Sequence, residues 1–241
     1  MNTRIAQCFS LVAAASLALC TSCETVRPAA ATGLSVRNGV LTLNGKPYRG
    51  IGVNYFSLFS RTLEDPADRS YEAELKRLAD ADIPFVRFMA CGFWPVDWDL
   101  YFTDRPAYFA RLDAIVRCAE ANGVGLIPSL FWHMSTVPDL MGEPIDQYGN
   151  PSSKTAAFLR QYTREVVSRY RDSPAIWGWE FGNEYALAAD LPNAAQHRPP
   201  VWPKLKTALQ RSSRDELTAA ALSTALGIFA ETVRSLDPHR I

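Results

Sequence analysis

The sequence predicts an α/β chain of barrel type, in which four strand–helix units follow an N-terminal β-hairpin. Three observations carry this. From residue 49 onward, short apolar runs alternate with stretches of helical periodicity, the pattern of βαβ units around a parallel sheet. Links from a helix to the next strand are short (82–84, 123–124, 171–175), whereas links from a strand to its helix are long (55–69, 90–105, 132–154, 184–213). No glycine-rich phosphate loop follows the first apolar run. Residues 50–55, Gly-Ile-Gly-Val-Asn-Tyr, lack the later glycine and acidic partner of a dinucleotide fingerprint, which favours a barrel over a doubly wound sheet.

Residues 1–23 read as an export signal and lie outside the fold. Arg4 precedes an apolar run, Phe9 to Leu19, that is too short to span a bilayer. Cys20 and Cys23 end it. A cysteine after such a run suggests a lipoprotein whose mature chain begins at a lipidated residue, here Cys23, and this anchor is the one membrane attachment expected. Ordinary cleavage near Ala29–Ala31 is the alternative. The destination is then the outer membrane or cell surface for a lipoprotein, or the medium for a secreted protein. Residues 24–33 form a linker, and 34–241 make one folded unit.

Composition narrows the function classes. The 25 basic and 25 acidic side chains balance, which argues against a nucleic-acid partner. Hydrophobic residues make up 48%, enough for one sizeable core. Six tryptophans suggest a stacking surface for a flat ligand such as a sugar ring, with core packing as the competing use. Three of five cysteines fall in the leader, so Cys91 and Cys118 make no disulfide framework, and a bridge between the two stays open. His133, His197 and His239 have no metal-ligand spacing, so neither a metal nor another cofactor is expected.

The elements follow in order. Asn38-Gly39 and Asn44-Gly45 flank a short alternating strand and predict a hairpin, because Asn-Gly accepts positive φ at both central turn positions. Arg49 to Asn54 is the first barrel strand. Tyr71 to Ala81 is a helix with Ser70 as its N-cap and Leu75, Leu78 and Ala79 on one face. Phe85 to Met89 is the second strand. Tyr108 to Asn122 is a helix ended by Gly123. Gly125 to Phe131 is the third strand, Thr155 to Tyr170 its helix, Ile176 to Phe181 the fourth strand and Arg214 to Leu236 the fourth helix. All the long loops then lie at the C-terminal end of the strands, where α/β barrels place their active sites. Phe93, Trp94, Trp98, Trp132 and Trp202 fall in these loops.

The most informative segment is 177–184, Trp-Gly-Trp-Glu-Phe-Gly-Asn-Glu. It ends the fourth strand at the mouth, and period-two alternation puts Glu180, Gly182 and Glu184 toward the barrel axis. This segment resembles the acid/base motif of glycoside hydrolase clan A, above all family 5, the cellulase and mannanase family. The likeness runs from Val40-Leu-Thr-Leu-Asn-Gly-Lys-Pro through residues 50–54, Val86-Arg87-Phe88 and His133 to Asp237-Pro-His-Arg. It implies a (β/α)8 TIM-barrel type of which about the first four βα units are present.

The resemblance implies a retaining hydrolase acting on a β-linked polysaccharide, β-mannan or β-glucan. Glu184 would be the general acid/base and Asn183 would bind the sugar 2-hydroxyl. Arg87 would orient the nucleophile, and His133 would touch substrate. Trp132 and Trp94 are the candidate sugar platforms. The family nucleophile ends the seventh strand and is expected beyond Ile241.

The chemistry needs these groups independently of the name. A carboxyl acting as an acid near neutral pH needs apolar walls, its partner carboxylate must sit about 5–5.5 Å away, and an arginine fork keeps that partner ionised. Plainer roles stand beside these: Glu184 as a helix cap, Arg87 as the structural partner of Glu180, His133 as a core residue, and the tryptophans as loop packing. A non-catalytic carbohydrate-binding surface lipoprotein is the alternative function. Open sheet edges in a four-strand unit make self-association a further expectation.

Overall fold

The structure is a computed structural model that describes residues 33–241. The leader and all but the last linker residue lie outside the described residues. Among those described, no helix is long and apolar enough to cross a membrane.

The predicted hairpin is a three-stranded antiparallel meander. Strands β1 (Leu34–Arg37), β2 (Val40–Leu43) and β3 (Lys46–Pro47) pair in that order. Both Asn-Gly turns have positive φ at both residues (50° and 74°, 51° and 78°), which matches the strand twist and lets the second pair add a third strand. The meander docks on the start of the fourth barrel segment, where the Leu34 N–H donates to the Trp177 carbonyl at 2.7 Å. Tyr48 meets the Trp177 ring edge-on at 5.5 Å. This end of the sheet is opposite the long loops.

The parallel sheet comprises β4 (Val53–Asn54), β5 (Phe85–Met89) and β6 (Gly125–Ser129), in chain order. Sequential order is what a singly wound barrel requires and a doubly wound sheet breaks. β4 is shorter than the predicted 49–54. The fourth strand is irregular: residues 176–181 join β6 through Leu126 opposite Ile176 and Ser129 opposite Glu180. Four steps along this segment thus match three along β6, a bulge of one residue. The bulge lets Trp177 pack against Phe85, at 5.6 Å, while Glu180 reaches Arg87 on β5. Beyond it, the Trp179 N–H donates to the Ile241 carbonyl at 2.7 Å.

Seven α-helices accompany these strands among the described residues. They are α1 (Ser60–Glu64), α2 (Ser70–Asp80), α3 (Asp99–Thr103), α4 (Arg105–Asn122), α5 (Thr136–Met141), α6 (Lys154–Tyr170) and α7 (Ala219–Leu236). The long strand-to-helix links therefore hold α1, α3, α5 and several 3-10 turns. The predicted Ser70 cap is corrected: Ser70 lies inside α2, and its N–H donates to Asp68 Oδ1 at 2.7 Å. α4 begins three residues early because Asp104 accepts from the Ala107 N–H at 3.0 Å and Pro106 suits a first turn. Gly123 ends it with φ 66°. α7 starts at Ala219 under a Thr218 cap, and the predicted 214–218 portion is a separate turn and loop.

The core lies between the sheet and the helices. Val86 and Phe88 of β5 are fully buried there, which turns Arg87 to the other face. Trp98, assigned by sequence to the aromatic loops, is fully buried and packs edge-on against Tyr101, Phe158 and Tyr162. Cys91 and Cys118 are free thiols, so no bridge joins them.

Candidate active site

The second strand and the segments that follow the third and fourth build the site. Arg87 projects from the middle of β5, away from the helices. Its Nε–H donates to Glu180 Oε2 at 2.7 Å and its Nη2–H to Asn183 Oδ1 at 3.0 Å. The guanidinium lies over the Trp132 ring, 4.4 Å from its centroid. One fork therefore ties the second strand to the fourth and rests on the loop after the third. Arg87 and Glu180 are 24% and 31% exposed, so the pair meets water and is not the sealed ion pair expected of a closed core.

Backbone contacts carry the third strand's loop to the fourth. The Leu130 and Phe131 N–H groups donate to the Glu180 and Phe181 carbonyls at 3.0 and 2.7 Å, and the Asn183 N–H donates to the Trp132 carbonyl at 3.2 Å. Gly182 is needed here, because a Cβ would collide with the Phe131 carbonyl oxygen and the Tyr185 ring. The buried Tyr185 hydroxyl donates to the same carbonyl at 2.9 Å.

Glu184 follows in the left-handed region, φ 56° and ψ 22°, rare for a residue with a side chain and a mark of a constrained site. The turn corrects the expected alternation, since extended geometry stops before residue 184. It also corrects the expected aromatic enclosure, because Glu184 is exposed. Its residue lines one wall of a pocket of about 310 Å³ with Phe93, Trp132, His133, Met134, Asn183, Tyr185 and Ala188. Among the described residues, no hydrogen bond or ion pair holds its carboxylate.

His133 lies half-buried between Phe93 and Trp94, with ring centroids 5.0 Å away in each case. Its Nδ1 is 3.2 Å from the Ser135 hydroxyl. Burial pulls its pKa below the ordinary 6.5; nearby Asp139 works against this and Arg211 with it. Trp94 is fixed from behind: Asp97 Oδ2 accepts from the Phe93 and Trp94 N–H groups at 3.0 and 2.8 Å. Burial raises the Asp97 pKa, and these two bonds oppose the rise.

All six sequence-selected residues, Glu184, Asn183, Arg87, His133, Trp132 and Trp94, thus fall in one contact cluster at one end of the sheet. Others were missed. Phe56 meets Trp132 at 5.1 Å, and Trp202 meets Trp94 at 5.0 Å. Phe56 follows the first strand and Trp202 sits in the longest loop, so loop position was the available signal. The Arg211–Asp139 pair near His133 had none. Among the described residues, no group of three or more His, Cys, Asp or Glu is arranged to hold a metal ion.

No protein-family model matches the chain. Over 80 residues it is 36% identical to mannan endo-1,4-β-mannosidase F of Aspergillus clavatus, covering 31% of this chain and 18% of that protein. Over 81 residues it is 40% identical to the same-named protein of Aspergillus fumigatus, covering 31% and 18%. The matched segment spans about a fifth of the length of these relatives. In fold, the chain is similar to a variant of the glycoside hydrolase family 5 mannosidase of Rhizomucor miehei, with TM-score 0.57, 14% identity, and 87% of this chain matched to 54% of that one. A GH5_18 variant from Bifidobacterium longum, in complex with Manb1-4GlcNAc, matches with TM-score 0.54 and 17% identity, over 77% of this chain and 41% of that one. The endoglucanase catalytic domain of Thermobifida fusca matches with TM-score 0.51 and 15% identity, over 86% and 52%.

Proposed function

We propose that this chain belongs to glycoside hydrolase family 5, a glycosidase family, a reading that the likenesses in sequence and fold support, and that residues 34–241 are the N-terminal half of a retaining barrel that cleaves β-linked mannan or glucan. The observation that carries the reading is the Arg87 fork, which joins Glu180 and Asn183 immediately before the free, rim-placed carboxyl of Glu184. The mannan endo-1,4-β-mannosidase relatives favour β-mannan as substrate.

Glu184 is the proton donor. Its carboxyl has no protein partner competing for it and faces solvent beside the pocket, so an arriving glycosidic oxygen takes the place of water. Substrate itself completes the apolar enclosure that makes a carboxyl a good acid. Asn183, with its Oδ1 engaged by Arg87, keeps its amide N–H groups for a sugar hydroxyl. Trp94, half-buried, offers ring surface to sugar C–H groups, whereas the expected platform role of Trp132 is corrected: its ring is buried beneath the Arg87 guanidinium and backs the pocket. His133 donates or accepts one hydrogen bond as a neutral ring. A retaining cycle needs a nucleophilic carboxylate about 5–5.5 Å from the acid. We assign none within 34–241, and Glu180 stays committed to Arg87.

Residues 1–23 direct export in this reading, with Cys23 as a lipid attachment point that radiolabelled palmitate would reveal. The β4 edge of the sheet makes self-association part of the same reading, tested by sedimentation.

An affinity label tests the acid without needing the nucleophile. An N-bromoacetyl glycosylamine of mannobiose places its electrophile where the bridging oxygen would lie, and a carboxylate there displaces bromide to form an ester. Peptide mapping should find the adduct on Glu184, suppressed by mannohexaose and absent in Glu184→Gln. Labelling spread over surface carboxylates, unprotected by either mannohexaose or cellohexaose, would overturn the assignment.

A further inference from the structure

The loop between the fourth strand and α7 is tied down more firmly than a linker needs. Its base is closed by the Asp190 N–H donating to the Leu217 carbonyl at 3.0 Å and the Ala219 N–H donating to Asp190 Oδ2 at 3.2 Å. At its centre, Arg211 uses every donor of its guanidinium. Nη1 and Nη2 donate to Asp139 Oδ1 and Oδ2 at 2.7 and 2.8 Å. Nε donates to the Pro199 carbonyl at 3.3 Å, Nη2 also to the Pro200 carbonyl at 3.4 Å, and Nη1 also to Asp215 Oδ1 at 3.5 Å. The Asp139 and Arg211 side chains are 0% and 6% exposed. Separating a pair so deeply buried would strand a charge away from water, which holds the loop in place.

The two proline carbonyls lie just ahead of Trp202. Its own N–H donates to the buried Thr207 hydroxyl at 2.7 Å, and Lys206 reaches Asp99 at the start of α3 at 2.5 Å. Despite this fixed backbone, the Trp202 side chain is not used to fill the core: the residue is 47% exposed. It meets Trp94 edge-on at 5.0 Å, and Trp94 meets His133, which lines the Glu184 pocket, at 5.0 Å. An exposed aromatic ring on a rigid backbone offers apolar area to a ligand with little ordering cost.

We propose that the Arg211–Asp139 pair positions Trp202 so that it forms, with Trp94, a second sugar-ring site beside the Glu184 pocket, occupied by a further unit of a β-linked oligosaccharide. The proposal rests on the carbohydrate reading of that pocket. Arg211 is a positioning residue that touches no sugar. Trp202 sets preference for longer chains.

Calorimetric titration of the full chain with mannobiose and mannohexaose, and with the corresponding cello-oligosaccharides, tests this. Trp202→Ala should weaken hexasaccharide binding about tenfold, which is about 1.4 kcal/mol, and leave disaccharide binding within about twofold. Arg211→Met should do the same in the wild-type background and add nothing to Trp202→Ala, because it acts through that ring. Equal losses for both chain lengths, or losses that add in the double variant, would identify Arg211 as merely structural and overturn the proposal. Hexasaccharide affinity unchanged in Trp202→Ala would also overturn it, and that variant removes an exposed ring without touching the buried pair. Wild type that binds no oligosaccharide of either series would overturn the proposed function itself, whereas binding indifferent to Trp202 and Arg211 sinks this inference alone.

Discussion

Replacing Arg87 by leucine is the most direct perturbation of the site. It removes the 2.7 Å bond to Glu180, the 3.0 Å bond to Asn183 and the stacking over Trp132. A fully buried ion pair would cost about 3–5 kcal/mol to break. This one is a quarter to a third exposed, so Glu180 regains water and the ion pair itself accounts for about 1 kcal/mol. The amide bond contributes about 1 kcal/mol and the cation–π contact about 0.5–1 kcal/mol. The expected loss is about 2–3 kcal/mol, a fall in Tm of about 4–12 °C for a chain of this size. Urea unfolding followed by tryptophan fluorescence measures it. In a Glu180→Gln background the same substitution should cost about 1 kcal/mol less. A loss below about 0.5 kcal/mol, or strict additivity with Glu180→Gln, would refute the view that this fork holds the strand ends together.

Gly182→Ala drives a methyl group into the Phe131 carbonyl and the Tyr185 ring, so a loss of about 1–3 kcal/mol is expected; wild-type stability by urea titration would contradict the close strand approach. Trp98→Ala empties the centre of an aromatic cluster and should cost about 3–5 kcal/mol by the same assay, while a cost near 1 kcal/mol would place that ring outside the core. His133 has its pKa pulled below 6.5 by burial, so the folded state favours the neutral ring. Its contribution to stability is complete above 6.5 and declines as pH falls through 6.5 toward the folded value. His133→Gln should therefore lose less stability than wild type between about pH 8 and pH 5, and equal acid sensitivity would count against a buried imidazole. Burial pushes the Cys91 thiol up to about 12, so iodoacetamide should modify it only after denaturation; rapid native labelling, read by peptide mass, would contradict its placement.

Much of the architecture was legible in local pattern. Alternating periodicities marked the parallel strands and their helices, and the two Asn-Gly pairs marked tight turns, because both signals depend only on neighbouring residues. The placement of Asn183 and Glu184 at the mouth was legible for the same reason, since they follow a recognisable strand and in a parallel unit strand ends share one mouth, whereas the roles expected of them came from the resemblance. Tertiary structure decided what depends on partners distant in the chain. The one-residue bulge before Glu180 sets which face that side chain takes, and it arises only from pairing with β6. The left-handed turn at Glu184 carries its carboxyl to an exposed rim, against the alternation of the segment before it. Trp94 and Trp98 stand four residues apart with similar neighbours, yet one is half-buried against His133 and the other is sealed under α4 and α6. Arg211 and Asp139, 72 positions apart, found each other only by folding. Periodicity is a property of the nearest few residues, whereas burial, register and charge pairing belong to whatever the folded chain brings alongside.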